Sequence, residues 1–383
     1  MANNNSSDII VTTAGTQYLT PTVGFKNFLL QGDMDNNPWR VIVPTATTAR
    51  TGVGAGSSWV TDGIAYNGVG ANRMTTQRTA DAPTAAEAGF IINTCLHFDV
   101  TTADSSIAAG DLAMCRIITG AQLATRLYNT PFTLSFWIKT TITGTYCVNF
   151  LFPVATQGYI AEYTVLASNT WEKKTITVPA LGTLTMAIAE ADNPGLIVNF
   201  TFMSGSNYHG TAGSWATPNP GHATSNQVNG VNSTANDIKL TAVQLEIGTS
   251  ATDFEKLPID VVRKHCGTWV QKSSIAYGAT TSVRLTSPII SCVQTNTTTV
   301  DGYVNYESPL YSSNGSNITA VVFDSGGNTG QADFQSIAGV STARAATTSL
   351  ISGQGFRVRQ AVALDYSCTL NYYAYINSLT NVV

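Results

Sequence analysis

The side chains best suited to chemistry in this sequence are few and widely spaced. Four histidines (His97, His209, His222 and His265) form no HExxH or H-x-H pairing, and neither a Gly-x-Ser-x-Gly elbow nor a phosphate-binding loop occurs. Hydrolysis of a glycan needs two carboxylates flanking the scissile bond. Glu162, Asp192, Glu246 and Glu255 offer carboxylates, but nothing in their spacing pairs them, so they read as solvated or strand-end groups and no enzyme is expected. Tyr208, His209 and Trp215 fall in a stretch rich in Gly, Ser and Asn that runs over residues 203–236. An exposed aromatic ring stacks on the apolar face of a sugar, which makes these three candidate receptor-binding residues. The competing reading makes Trp215 a plug at the end of a sandwich. The six cysteines (Cys95, Cys115, Cys147, Cys266, Cys292 and Cys368) have no zinc-type spacing and read as buried, reduced thiols.

The elements that carry these residues are strands. Phe132, Leu134, Phe136 and Ile138 alternate with more polar neighbours, as do Tyr146, Val148, Phe150 and Phe152, and again Leu196, Val198, Phe200 and Phe202. Successive side chains of a strand point to opposite faces, so period two marks half-buried strands of antiparallel sheets. In residues 238–247 the apolar phase starts on Ile238, Leu240 and Ala242 and then jumps to Val243, Leu245 and Ile247, which predicts a β-bulge near Ala242–Val243. Trp137 and Trp171 read as core aromatics. One helix is expected: Pro258 suits a first turn, and Ile259, Val262 and Cys266 follow at helical spacing. The last strand, residues 370–376, is apolar or aromatic on both faces, and a neighbouring subunit is the simplest cover for the second.

With 383 residues the chain exceeds one ordinary core, so two or three domains are expected. Charged residues are only 11% of it, well under the ~25% of an average globular protein. A net charge of −4 without a long Lys/Arg cluster argues against nucleic acid as a partner. The start, Met1 through Asn5, lacks the basic and apolar regions of a secretory signal, and no apolar stretch approaches a membrane span. Residues 1–26 read as a polar arm that orders against a partner.

The segment Val243-Gln-Leu-Glu-Ile-Gly-Thr-Ser-Ala-Thr-Asp-Phe-Glu-Lys-Leu-Pro258, followed by a short helix with a Cys, resembles one found in bacteriophage tail-fibre and related virion proteins. Residues 27–33, 135–146 and 171–177 resemble other pieces of the same family in the same order, although Met34 stands where an aromatic is usual. The resemblance implies a carbohydrate-binding-module-like jelly roll, a virion location and a homotrimer. It also implies a structural Ca²⁺ held by Asp33 and Asp237, against the plainer reading of Asp33 in a turn and Asp237 capping a strand. The expected fold is all-β: an N-terminal arm (1–26) for virion attachment, a jelly-roll β-sandwich (27–256), a helical hinge (257–269) and a smaller C-terminal β-sandwich (270–383). The expected role is a trimeric tail-fibre or receptor-binding protein contacting a host-surface glycan. Alternatives are a capsid-attached head fibre or decoration protein, and a glycan-degrading spike.

Overall fold

The computed structural model describes residues 25–29, 32–34, 64–70, 73–119, 126–153, 156–182, 195–258 and 262 in full, and the backbone of further strands on either side. Within the 1–26 arm, β1 (Asp8–Thr13) and β2 (Thr16–Pro21) pair antiparallel, so the arm carries a hairpin where the sequence offered only one apolar piece. The strands that follow are β3 (Gly56–Thr61), β4 (Ile64–Val69), β5 (Met74–Thr79), β6 (Cys95–Val100), β7 (Leu112–Gly120) and β8 (Phe132–Thr140). They continue with β9 (Gly144–Phe152), β10 (Gln157–Val165), β11 (Glu172–Val178), β12 (Pro194–Ser204), β13 (Trp215–Ala216) and β14 (Asp237–Ile247). A single helical turn, α1 (Ala85–Ala88), precedes β6 and is closed by a capping box between Thr84 and Glu87.

These strands form two antiparallel sheets, one of seven strands in the order β13-β10-β9-β12-β7-β4-β3 and one of five in the order β11-β8-β14-β6-β5. The chain passes back and forth between them, giving a jelly-roll sandwich. The three period-two runs of β8, β9 and β12 supply the inner faces and lie in one buried cluster. Rings from opposite sheets interlock: Phe132 meets Phe150 with centroids 5.4 Å apart, Phe136 meets Phe200 at 5.0 Å, and Phe98 meets Phe202 at 4.7 Å. Edge-on and tilted contacts of this kind add about 0.5–1.5 kcal/mol each beyond the area they bury. Met34 packs into the same cluster in place of the aromatic. Trp137 and Trp171 do not. Trp137 alternates with the core-facing residues of β8 and so points outward, and the Trp171 indole N–H donates to the Asp81 carboxylate at 3.4 Å beside that outer face. Trp137 is nonetheless buried, at 8% exposure, on the outer side of the sheet and outside the inner cluster, while Trp171, just before β11, is half-buried.

The predicted bulge is present. Thr241 pairs with Trp137 and Gln244 with Ser135, setting two residues of β14, Ala242 and Val243, against the single Phe136 of β8, and Ala242 takes a left-handed φ of 48°. The Val243 N–H, released from the sheet, donates to the Gly32 carbonyl at 2.8 Å. The strands just before and after the bulge can both face the core only because of this slip: Leu240 is 1% exposed, and Val243 and Leu245 are fully buried.

Beyond the bulge, the residues that carry the fibre-protein resemblance tie the two ends of the sandwich together. The Gln244 amide donates to Glu246 at 2.8 Å, and its oxygen accepts the Glu255 N–H at 2.7 Å. Glu246 in turn accepts the N–H and hydroxyl of Thr252 at 2.8 and 2.7 Å. Glu255 accepts the N–H groups of Lys26 and Asn27 at 2.7 and 2.8 Å. Asn27 closes the loop: its side-chain oxygen accepts from Leu29 and Leu245, and its amide nitrogen donates to the Val243 carbonyl. Gly248 has φ 118°, a conformation that side-chain-bearing residues avoid, and this turns the chain from β14 back toward Thr252.

Further along, the Val262 N–H donates to the Pro258 carbonyl at 3.2 Å, one helical step in the expected hinge; residues 263–269 lie outside the described residues. The C-terminal backbone adds β15 (Val270–Lys272), β16 (Ile289–Asn296), β17 (Thr299–Asn305), β18 (Ile318–Phe323) and β19 (Gln331–Gln335). It ends with β20 (Ser341–Ala345), β21 (Thr347–Ser349), β22 (Gly355–Gln360), β23 (Ser367–Thr369) and β24 (Asn371–Ile376). All pair antiparallel, in sheets ordered β15-β24-β18 and β20-β19-β23-β16-β17-β22-β21. The predicted last strand is therefore β24, flanked on both edges, while its side chains lie outside the described residues. Among the described residues no helix is long and apolar enough to cross a membrane.

Candidate functional site

The seven-stranded sheet is buried on its outer face too. Arg116 on β7, Cys147 and Asn149 on β9, Ile160 on β10, and Asn199 and Thr201 on β12 are each at most 1% exposed, although they alternate with the core-facing residues. Their cover is the Gly-, Ser- and Asn-rich stretch between β12 and β14, an ordered strap laid across the sheet. Its backbone bonds to the sheet at Gly213 N–H to Ile160 O, Val228 N–H to Thr145 O and Gly230 N–H to Phe202 O, all at 2.9 Å. The strap also folds on itself: the Tyr208 carbonyl accepts the N–H groups of His222 and Ala223 at 2.9 and 3.2 Å. At Gly221 (φ 128°) an added Cβ would sit 2.4 Å from that carbonyl, so only glycine allows the approach.

Beneath the strap runs a row of polar side chains in direct register. Asn199 stands opposite Arg116 on one side and Asn149 on the other. Arg116 donates to the Asn199 oxygen at 3.1 Å, and the Asn199 amide donates to the Asn149 oxygen at 2.9 Å. The Asn149 amide then reaches Asn219 of the strap at 3.1 Å. His222 donates from Nδ1 to the same Asn149 oxygen at 3.2 Å, and its carbonyl accepts the Thr201 hydroxyl at 2.7 Å. Burial first, and then the Arg116 charge, pushes His222 down to about 4, so it is neutral at physiological pH. At the margin, Glu162 on β10 accepts from the Thr224 hydroxyl and, at 3.0 Å, from the Asn226 amide. Cys147 lies below Thr224, and burial raises its thiol, as it does those of Cys95 (to about 11) and Cys115. These three are free, buried thiols as expected; the side chains of the other three cysteines lie outside the described residues.

The strap separates the three candidate sugar-binding residues. Tyr208, half-buried, follows β12 in a short turn with its ring 5.8 Å from His222, and His209 donates from Nε2 to the Ser204 carbonyl at 3.1 Å. Trp215 is elsewhere, on β13 opposite Tyr159. Its ring lies 5.4 Å from Tyr159 and 5.7 Å from Phe152, and its indole N–H donates to the Pro179 carbonyl at 2.8 Å. Trp215 is thus the end plug, and Tyr208 with His209 remains as the surface aromatic pair. Trp215→Phe keeps an aromatic ring, though a smaller one, and removes the N–H. We expect it to lower stability by about 1 kcal/mol, the worth of one hydrogen bond, as read by urea unfolding.

Asp33 and Asp237 are not brought together. The Asp33 carbonyl accepts the Thr241 hydroxyl at 3.3 Å, and its carboxylate lies 3.5 Å from the Lys256 ammonium. Asp237 is four residues up β14 from Thr241, roughly 13 Å along an extended strand, and its carboxylate meets the His97 Nε2 at 2.7 Å. Asp99 is directly across from it on β6, and the ligand atoms of His97, Asp99 and Asp237 all lie within 4.8 Å of one another. A Ca²⁺ shared by Asp33 and Asp237 does not fit this placement. The alternation of His97 and Asp99 puts them on one face, a signal available in the sequence, but their meeting with Asp237 depends on strand order.

No family model matches the sequence, and no curated protein matches it. Among solved structures, the chain is similar to the enzymatically active domain of tailspike protein 4 of bacteriophage CBA120 (14% identity, TM-score 0.27, 49% of this chain and 19% of that one). It is also similar to a putative sugar-binding protein of Bacteroides thetaiotaomicron (9%, 0.29, 58% and 100%). A third likeness is the family 11 carbohydrate-binding module of a Clostridium thermocellum cellulase (7%, 0.27, 51% and 98%). The chain spans about a fifth of the tailspike domain it matches. TM-scores this low assign no ligand, reaction or partner to it.

Proposed function

We propose that this chain is a non-enzymatic structural component of a bacteriophage particle, a trimeric tail-fibre or receptor-binding protein whose jelly roll contacts a host-surface glycan. The observation that carries the reading is the closing network of Gln244, Glu246, Thr252 and Glu255 on Asn27. The residues that resemble the fibre-protein segment are the ones that lock the end of the sandwich's last strand to the segment around Asn27 at its start. Against an enzymatic spike, three of the four candidate carboxylates already have structural work: Glu162 anchors the strap, and Glu246 and Glu255 form the closing network. Asp192 lies outside the described residues.

The β1–β2 hairpin in the arm favours a second placement, in which residues 1–26 dock on a capsid lattice as a head fibre. Imaging of particles carrying the labelled protein separates tail from capsid. Analytical ultracentrifugation of the purified chain should give three copies per assembly, and a glycan array should show binding that weakens in Tyr208→Ala. A monomer with no glycan binding, absent from particles by mass spectrometry, overturns the proposal.

A further inference from the structure

The outer face of the five-stranded sheet carries an arrangement that a protein-only structure leaves unfavourable. Asp99 and Asp237 stand directly opposite each other on neighbouring antiparallel strands, where like charges destabilise the pair. The ammonium of Lys239, opposite His97, is bonded to Asp81 at 2.7 Å, as is Lys139 at 3.0 Å, so Lys239 offsets the two carboxylates through space while its contact goes to Asp81. His97, two residues before Asp99, completes a triangle of one imidazole nitrogen and two carboxylates. Gln77, opposite His97 on β5, lies 3.2 Å from Nδ1.

We propose that His97, Asp99 and Asp237 bind a divalent transition-metal ion of the zinc class on the outer face of the sandwich. One imidazole with two carboxylates suits Zn²⁺ better than Ca²⁺, which takes six to eight oxygens. The His97 side chain is 11% exposed and that of Asp237 is 35% exposed, so the ring is fixed while the side facing solvent leaves a coordination position for water. Half a turn of the Gln77 amide presents its oxygen to the Nδ1–H, which leaves the Nε2 lone pair for the ion.

The test is titration of the full-length chain, without a histidine tag, with ZnCl₂ and CoCl₂ near pH 7.5. One equivalent should bind, with visible Co²⁺ absorption from a low-symmetry site. Gln77→Ala should weaken binding roughly 10- to 100-fold, as loss of a ligand's supporting hydrogen bond does. His97→Gln and Asp99→Asn should weaken it further, while Asp33→Asn leaves it unchanged. Asp99→Asn removes the like-charge opposition and should fold, which circular dichroism checks. Absence of stoichiometric uptake by the parent chain overturns the proposal. Uptake that survives both His97→Gln and Asp99→Asn overturns it too.

Discussion

Asn27→Ala should lower the stability of the sandwich by about 3–4 kcal/mol, a large effect for one polar side chain. Asn27 is 5% exposed, and its side chain does the work of a short piece of backbone. Its oxygen accepts the N–H groups of Leu29 at 3.0 Å and Leu245 at 3.2 Å, and its amide donates to the Val243 carbonyl at 3.3 Å. Alanine leaves two buried donors and one acceptor without that partner, and each orphaned buried group costs about 1–3 kcal/mol. Relaxation and water entry reduce the sum, hence the lower figure. Asn27→Asp keeps the acceptor but loses the donor and places a charge beside Glu255, which already accepts the Asn27 N–H at 2.8 Å, so it should not rescue. Glu255→Gln keeps one acceptor oxygen and should cost less than either. Urea unfolding of the three variants reads the order. An Asn27→Ala variant within 1 kcal/mol of the parent would mean that the closing network is ornamental.

That network shows how far the sequence carries. Its strands were legible because alternation is a one-dimensional signal: the core-facing runs of β8, β9 and β12 are the ones read from period two, and the phase jump located the bulge to the residue pair. The purpose of the bulge was not legible. Releasing the Val243 N–H to Gly32 serves a contact 211 residues away in the chain, and no local pattern encodes the partner. The strap was harder still. Residues 205–230 show no period because they do not alternate between core and solvent; they follow the sheet and meet it through individual amides and carbonyls. Composition marked the stretch as loop, correctly for backbone conformation, but gave no sign that it covers the polar row of the sheet beneath it.

The two outward faces of the sandwich divide along the same line. On the five-stranded sheet, strand register alone places Asp237 beside Asp99, whereas the family resemblance pairs Asp237 with Asp33 instead. On the seven-stranded sheet, Asn149 and Asn199 sit in two separate period-two runs and Arg116 in a third strand, each an unremarkable polar residue between apolar ones. Only strand order β9-β12-β7 lines them up and makes a buried, hydrogen-bonded row of them. Such a row is stable only while every member keeps its partner, so the strap that supplies Asn219 and His222 is part of the sheet's energetics as well as its cover.

The strap should therefore loosen with acid, through His222. Its folded pKa, about 4, lies below the ordinary 6.5 because burial and then Arg116 oppose a second proton. Above pH 6.5 the ring is neutral in both folded and unfolded chains and contributes no pH dependence. Between 6.5 and 4 the unfolded chain takes up a proton that the folded one refuses, so stability falls as pH falls. The shift of roughly 2.5 units corresponds to about 3 kcal/mol lost by pH 4 and about 2 kcal/mol by pH 5, at 1.36 kcal/mol per unit. The groups facing the ring are Arg116 from β7, Asn149 from β9 and Tyr208 from the strap itself, and none of them supplies a negative charge to hold a proton. His222→Asn retains a donor toward Asn149 but does not titrate, so the difference in pH slope between it and the parent isolates the effect from the carboxylates. Cys147 reports where the loss occurs, since its thiol lies under Thr224. A thiol-reactive disulfide active at pH 5, with the labelled peptide located by mass spectrometry, should modify Cys147 faster in the parent than in His222→Asn. Equal slopes and equal labelling would place the acid sensitivity of the sandwich somewhere other than the strap.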